Sequence, residues 1–359
     1  MEQQVDVVIV GAGQAGLAVG WFLRRRTDLS FVLLDDQQAP GGAWRHTWDS
    51  LRLFSPAGYS SLPGRLMAPT GAENPDAAQV IDYLTDYETR YGLPVHRPVR
   101  VSAVHRDGKG FRLETTAGLW RARAVVSATG TWSQPFWPAL PGQRDFRGTQ
   151  VHSAHYTGPA PYAGQRVVVV GGANSAAQIA ADLTATSQVT WCVHGAPQYL
   201  PNGIDGRELF RLATTRAQAL AAGRPDPGGV GALGNIVVVP PVKRARDAGL
   251  LHPTPMFDRF TPTGISWSHG QEQEVDAVIW CTGFRPALRH LRPLPVRGAD
   301  GSIPTAGTAS TTVDGLYLVG YGDWTGPGSA TLIGVGPTAK ATAAALKRQL
   351  STPTPMPAR

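Results

Sequence analysis

Two stretches of this chain set glycines where a phosphate can approach a backbone. Gly11-Ala12-Gly13-Gln14-Ala15-Gly16 is a complete G-x-G-x-x-G directly after the apolar run Val5–Val10. In that pattern the first glycine makes the turn and the second admits a pyrophosphate to the main chain. The third lets the following helix pack closely on the strand. The helix N-terminus then presents free amides and partial positive charge to the phosphates. Asp35 ends the next apolar run, Phe31–Leu34, 19 residues after Gly16, where a carboxylate can accept from ribose hydroxyls. Its neighbour Asp36 falls on the opposite face of the strand. Gly11, Gly13, Gln14, Ala15, Gly16 and Asp35 are therefore expected to hold one adenine dinucleotide.

The second stretch, Gly171-Gly172-Ala173-Asn174-Ser175-Ala176, follows the all-valine run Val167–Val170. Ala173 replaces the middle glycine and its methyl crowds a pyrophosphate, whereas alanine at 176 is an accepted third position. Gly171, Gly172, Asn174, Ser175 and Ala176 are expected to hold a second dinucleotide. The position matching Asp35 falls at or near His194, so no carboxylate stands there to bind a 2′-hydroxyl or repel a 2′-phosphate. That favours NADPH and leaves NADH open. Thr129-Gly130 and Thr282-Gly283 each follow an apolar strand, as where a chain leaves one nucleotide unit and enters another. Asp323 closes the apolar run Leu316–Val319 through Gly-Tyr-Gly, placing a carboxylate where flavin ribityl hydroxyls would lie.

The elements needed to position these residues are those of alternating strand and helix. Strands are expected at Val5–Val10, Phe31–Leu34, Ala124–Gly130, Arg166–Val170, Val189–Val193, Ala277–Trp280 and Leu316–Val319. Helices are expected at Gly13–Arg26, Ala77–Tyr91, Ser175–Ala185 and from about Ser329 to Leu350. Val101–His105, Phe111–Thr115 and Leu119–Arg123 read as an antiparallel meander, and 195–262 as irregular elaboration. The fold class is α/β, with two Rossmann-like, three-layer dinucleotide-binding domains. The FAD domain, 1–148 and 285–350, is discontinuous, and an NADPH domain, 149–284, is inserted in it. The proline-rich tail 351–359 is expected to be disordered.

Composition excludes several alternatives. The net charge of +7 is spread out, and its densest runs, Arg24-Arg25-Arg26 and Lys243–Arg246, are short. A helix end and solvated surface account for them, so no nucleic-acid partner is expected. Two cysteines far apart, Cys192 and Cys281, give no disulfide framework, no Cys-x-x-Cys and no metal spacing. No metal is expected, and a reducing, cytoplasmic setting is. No apolar run reads as a leader or membrane span, so no membrane partner is expected.

Between the two glycine motifs lies Phe146-Arg147-Gly148-Thr149-Gln150-Val151-His152-Ser153-Ala154-His155-Tyr156. It resembles the F-x-G-x-x-x-H-x-x-x-Y signature of the class B flavin-containing monooxygenases. Tyr156 in place of tryptophan resembles their heteroatom-oxygenating branch. Gly41-Gly42-Ala43-Trp44, Trp48–Pro56, Gly320–Gly326 and Ser329–Gly334 are similar to the short bacterial monooxygenases encoded in arsenic-resistance operons. The resemblance implies FAD and NADPH as cofactors, with a small-molecule substrate and O2 as partners, and it leaves a homodimer open. It implies hydride transfer to flavin, capture of O2 as a C4a-hydroperoxyflavin, and oxygenation of a soft heteroatom in an arsenic-linked or small nitrogen or sulfur compound. It puts Gly41, Gly42 and Trp44 at the flavin, and His152 in a linker that reorganises with the nicotinamide; Asn174 lies in the second turn. Phe54 stands where many of the family carry an asparagine that supports the oxygenated flavin. The alternatives are a reductase or oxidase passing electrons to a quinone, metalloid or O2, and a non-catalytic flavin-bound sensor.

Overall fold

The computed structural model describes residues 2–69, 71, 74–228, 236–299 and 301–351. The valine-rich start forms β1 (Glu2–Val10), its last four residues wholly buried, and passes through the first glycine turn into α1 (Gln14–Arg26). β2 (Phe31–Leu34) follows. Asp76 caps α2 (Ala77–Arg90) in a reciprocal capping box with Gln79, which satisfies amides at the start of the helix. β3 (Val95–His96) leads to a meander of β4 (Val101–Asp107), β5 (Gly110–Thr115) and β6 (Gly118–Ser127). The expected meander strand 119–123 and central strand 124–130 are thus one long strand. It runs parallel beside β1 from Leu119 to Ser127, and its first half, Gly118 to Ala122, pairs antiparallel with β5 on its other edge.

β7 (Thr149–His152), β8 (Arg166–Val170), α3 (Asn174–Leu183) and β9 (Gln188–Val193) come next. The stretch expected to be irregular contains α4 (Gly206–Ala221) and α5 (Pro240–Asp247). Asp205 caps α4 and a proline opens α5, both ordinary start signals. β10 (Pro253–Pro255), β11 (Arg259–Thr261), β12 (Gly264–Ser266), β13 (Glu272–Glu274) and β14 (Ala277–Trp280) follow. β15 (Thr305–Ala306), β16 (Ala309–Ser310), β17 (Leu316–Leu318) and α6 (Val335–Ser351) close the fold. The last helix begins at Val335 instead of Ser329, because short turns occupy the glycine-rich run before it. Ser351 of the expected tail ends α6, and 352–359 lie outside the described residues.

Among the described residues a mixed sheet and a parallel sheet result, beside a small antiparallel one of β11, β12 and β13. The first has the order β15-β16-β17-β6-β1-β2-β3 with the meander attached to β6, and the second the order β10-β9-β8-β14-β7. α1 and α6 cover one face of the first sheet through Leu17, Leu23, Ala339 and Leu346, all fully buried. The meander and Leu291, Leu294 and Val296 cover the other. In the second sheet α3 and α5 pack on one face, and Phe257, Phe260 and Trp280 fill the other. This is the three-layer α/β architecture expected, with nucleotide turns at the C-terminal ends of parallel strands.

Candidate functional site

At the first turn Gly11 has φ +99°, and a Cβ there would lie 2.7 Å from Ala128 O. A Cβ on Gly16 would overlap Gly11 O. Both glycines are therefore demanded by the turn and by the approach of helix to strand. Gly13 differs: its φ of −75° is ordinary, and a Cβ would meet only Gly42 Cα, at 4.0 Å. Nothing among the described residues requires glycine at 13, so the space beside it is the kind of cradle that a bound pyrophosphate occupies.

The other expected flavin residues converge on this turn. Trp44 Nε1 donates to Gln14 Oε1 at 3.2 Å, and Gln14 Nε2 donates to Ala330 O at 2.7 Å. Gly42, at φ +54°, lies against Gly13, and a Cβ on Gly320 would press on Ala15 Cβ at 2.6 Å. Asp35 is 5% exposed and takes Arg97 Nε at 2.7 Å, while Arg97 forks onto both oxygens of Glu88 at 2.7 and 2.8 Å. Burial pushes the Asp35 carboxyl up and Arg97 pulls it down, with burial prevailing. Asp36, next to it, is exposed. Asp323 follows β17 near this cluster, but its carboxylate is largely solvent-facing and paired with Arg216 of α4 at 2.6 Å.

The crossing at Thr129-Gly130 rests on a buried polar network that sequence reasoning missed. Tyr321 Oη lies 2.8 Å from both Ser127 Oγ and Thr129 Oγ1, and Ser127 Oγ lies 3.1 Å from His290 Nε2. Burial holds the His290 imidazole down at about 4. Its bonded partners lie 163–194 residues apart in the chain, and no local spacing marks them.

The second turn repeats the plan with differences. Gly171 has φ +140°, and a Cβ would overlap Cys281 O, whereas one on Gly172 meets nothing within 4 Å. Ala176 is buried at the helix–strand contact, and Ser175 is half-buried beside it. Asn174 Oδ1 accepts from Val237 N at 2.8 Å, so that side chain fixes the stretch leading into α5. His194 is exposed just past β9. Thr282 Oγ1 donates to Phe136 O beside the second crossing.

The signature segment has a structural explanation residue by residue. Gly148 leaves no room for a side chain against the Phe146 ring and Asp276 O, and Phe146 packs with Phe257, Phe260 and Trp280 on the face of the second sheet away from α3 and α5. His152 is fully buried; its Nδ1 accepts from Ala154 N, so Nε2 is the protonated nitrogen and donates to Gly283 O at 3.1 Å. Burial lowers its pKa, and the neutral ring braces the second crossing. Tyr156 Oη donates to Asp182 Oδ2 at 2.8 Å. Phe54 is half-buried against the second core, with its carbonyl accepting from Gly206 N. Cys192 is buried and its thiol is pushed up to about 12 by burial, far from a reactive thiolate. Among the described residues no cluster of metal-ligating side chains occurs, and no helix is long and apolar enough to cross a membrane.

The sequence profile of the pyridine nucleotide-disulphide oxidoreductase family matches residues 8–202. An uncharacterized oxidoreductase, CzcO-like, of Geobacillus kaustophilus is 30% identical, over 95% of this chain and 97% of its own. A flavin-containing monooxygenase from Stenotrophomonas maltophilia is 44% identical and superimposes with a TM-score of 0.88, covering 97% of this chain and 99% of that one. The bacillithiol disulfide reductase of Staphylococcus aureus shares the fold at 17% identity, with a TM-score of 0.72 over 97% and 99% of the two chains.

Proposed function

We propose that this chain, which belongs to the pyridine nucleotide-disulphide oxidoreductase family, works as a flavin-dependent monooxygenase with FAD on its first turn and a nicotinamide dinucleotide on its second. One observation carries the assignment of the turns. Gly41–Trp44, Gln14, Gly320 and Ala330 close around the first turn, and only there is the ribose-side carboxylate present. Flavin chemistry supplies hydride acceptance and oxygen activation; the protein binds, orients and keeps water out. Gly11, Gly13 and Gly16 shape the pyrophosphate seat, and Asp35 receives the ribose. Gly171, Gly172, Ser175 and Ala176 seat the second dinucleotide. The 1–148 and 285–350 segments form the flavin unit, and 149–284 the nicotinamide unit.

The finer reading is NADPH as the preferred donor, from the absence of a carboxylate at His194, and a soft heteroatom substrate, arsenic-linked or a small nitrogen or sulfur compound. Its support is the 44% identity to a flavin-containing monooxygenase and the Tyr156 signature. Phe54, which brings no hydrogen-bond donor on its side chain, favours the reductase or oxidase as second reading. Incubation with NADPH and isotopically labelled dioxygen, followed by mass spectrometry of candidate sulfur, nitrogen and arsenic substrates, separates them. Label in a product is expected. NADPH consumption yielding only hydrogen peroxide across all substrates would replace the monooxygenase with the oxidase.

A further inference from the structure

The segment 48–55 belongs in sequence to the first sheet's unit, between β2 and α2, yet three of its eight side chains pack into the other unit. Trp48 is 4% exposed and packs with Leu51 and Phe54 into the core built by α3, α5 and the second sheet. Leu53 points the other way, into the core under α1 and α6, and its amide donates to Pro75 O at 2.9 Å. The segment is therefore a wedge with one apolar side chain in the first core and three in the second.

Its polar anchors converge on one carboxylate. Tyr156 Oη, from a ring 1% exposed, donates to Asp182 Oδ2 at 2.8 Å, and Ser50 Oγ donates to the same oxygen at 3.0 Å. The Tyr156 ring meets Trp48 edge-on at 5.8 Å and stacks on Tyr162 at 5.9 Å. A buried phenol without an acceptor is costly, so Asp182 both satisfies Tyr156 and sets where Trp48 can sit. Asp182 lies on α3, the helix whose first turn carries Asn174 to Ala176. Eight residues at about 1.5 Å each place it about 12 Å along the same rigid rod. Four residues before the segment, Trp44 bonds to Gln14 on the first glycine turn.

We propose that Asp182 is a positioning residue: by accepting from Tyr156 and Ser50 it seats the 48–55 wedge, and so registers the flavin-side Trp44–Gln14 contact against the helix that carries the second dinucleotide. The inference rests on the monooxygenase reading only for which dinucleotide lies at each end. Displacement of the wedge misaligns donor and acceptor without removing any group that binds either, and a misplacement of about 1 Å is enough to cost up to roughly a hundredfold in rate.

The test uses the FAD-loaded enzyme and two readouts. Hydrogen–deuterium exchange is followed on peptides covering 48–55, and anaerobic flavin reduction is followed in stopped flow at a series of NADPH concentrations. In Asp182→Ala, exchange at 48–55 is expected to accelerate between about ten- and a hundredfold, the scale of a lost charge-assisted hydrogen bond. The limiting reduction rate is expected to fall about tenfold or more, with half-saturating NADPH changed by less than about twofold. Asp182→Asn, which keeps an acceptor, is expected to fall between wild type and alanine. Ser50→Ala, at an exposed site, gives the same pattern more weakly and serves if Asp182→Ala does not fold. Unchanged exchange at 48–55, or accelerated exchange with an unchanged reduction rate, overturns the proposal. So does exchange that rises uniformly over the whole chain. If wild-type flavin is not reduced by either nicotinamide, the functional reading fails instead, and exchange at 48–55 alone decides whether Asp182 seats the wedge.

Discussion

Other segments close in on the first glycine turn, with Ala128 O behind Gly11, Gly42 approaching Gly13 and Gly320 pressed on Ala15, while the space beside Gly13 stays open. At the second turn, Cys281 O stands behind Gly171 in the same way, but a side chain on Gly172 would enter open space. The strands that follow end as differently. β2 delivers a buried Asp35 locked to Arg97, whereas β9 delivers an exposed His194. A closed seat with a prepaid carboxylate suits a dinucleotide that stays through turnover. An open seat without one suits a dinucleotide that enters and leaves each cycle. On the proposed assignment, one strand–turn–helix plan serves retention or exchange according to what packs around it.

The sharpest way to break this contrast is to remove the lock. Arg97→Met leaves Asp35 and Glu88 buried without a cation, and a loss of about 3–5 kcal/mol is expected in urea unfolding, together with loss of bound FAD. His194→Ala is expected to stay within about 0.5 kcal/mol of wild type, as for an exposed side chain. Equal effects would mean the two seats do not differ as described.

Next come the glycines themselves. Gly16→Ala drives a methyl into Gly11 O and is expected to cost about 3 kcal/mol or more, with flavin content falling in step. Gly172→Ala, with room for its methyl and no positive φ, is expected to lie within about 0.5 kcal/mol, read by thermal unfolding.

The two crossings sharpen the comparison through pH. Each is braced by a buried neutral histidine, His290 beside Thr129 and His152 beside Gly283, both with lowered pKa. The unfolded chain takes up a proton on each near 6.5, while folded His290 does so only near 4. Stability is therefore complete above about 6.5 and is lost as pH falls from there towards about 4. At about 1.4 kcal/mol per unit the drop of about 2.5 units amounts to roughly 3 kcal/mol for His290. Chemical denaturation of His290→Asn across that range is expected to show a slope shallower by about one proton, while His152 keeps the remainder in place.

The smallest expected effect concerns donor choice. His194→Asp sets a carboxylate where the second dinucleotide's ribose is expected, and kcat/KM for NADPH relative to NADH should drop by about tenfold, or about 1.4 kcal/mol. A ratio that does not move would detach position 194 from the ribose.

What could be read in the sequence was whatever is encoded within one strand–turn–helix unit. Val5 to Arg26 and Val167 to Leu183 carry their own apolar run, glycines and helix, and both appeared where expected. β6 was split in two because its first half is half-exposed and alternating while its second is continuously buried, a change of environment that sequence pattern registers as a change of element. The α4 and α5 helices hid among prolines and glycines that in fact flank or cap them. At the site, the glycines were legible and their partners were not. Asp35 was found, but Arg97 comes 62 residues later; Tyr156 was found, but its acceptor Asp182 and the Ser50 that shares it have no local signature. Such pairings exist only once both sheets are built.

The two crossings have one more consequence. Phe136 N donates to Gly283 O, Arg285 N to Gln134 O and Ala287 N to Gly130 O, so the outgoing and returning chains run as a hydrogen-bonded ribbon. The stretch between them begins and ends at nearly the same point. A gene segment with that property behaves as a cassette: it can be exchanged for another whose ends also meet, while the first sheet keeps every strand neighbour it had. An exchanged cassette would leave the first sheet's pairing untouched, but it would have to bring its own seat for Trp48 and Ser50, which Tyr156 and Asp182 now provide.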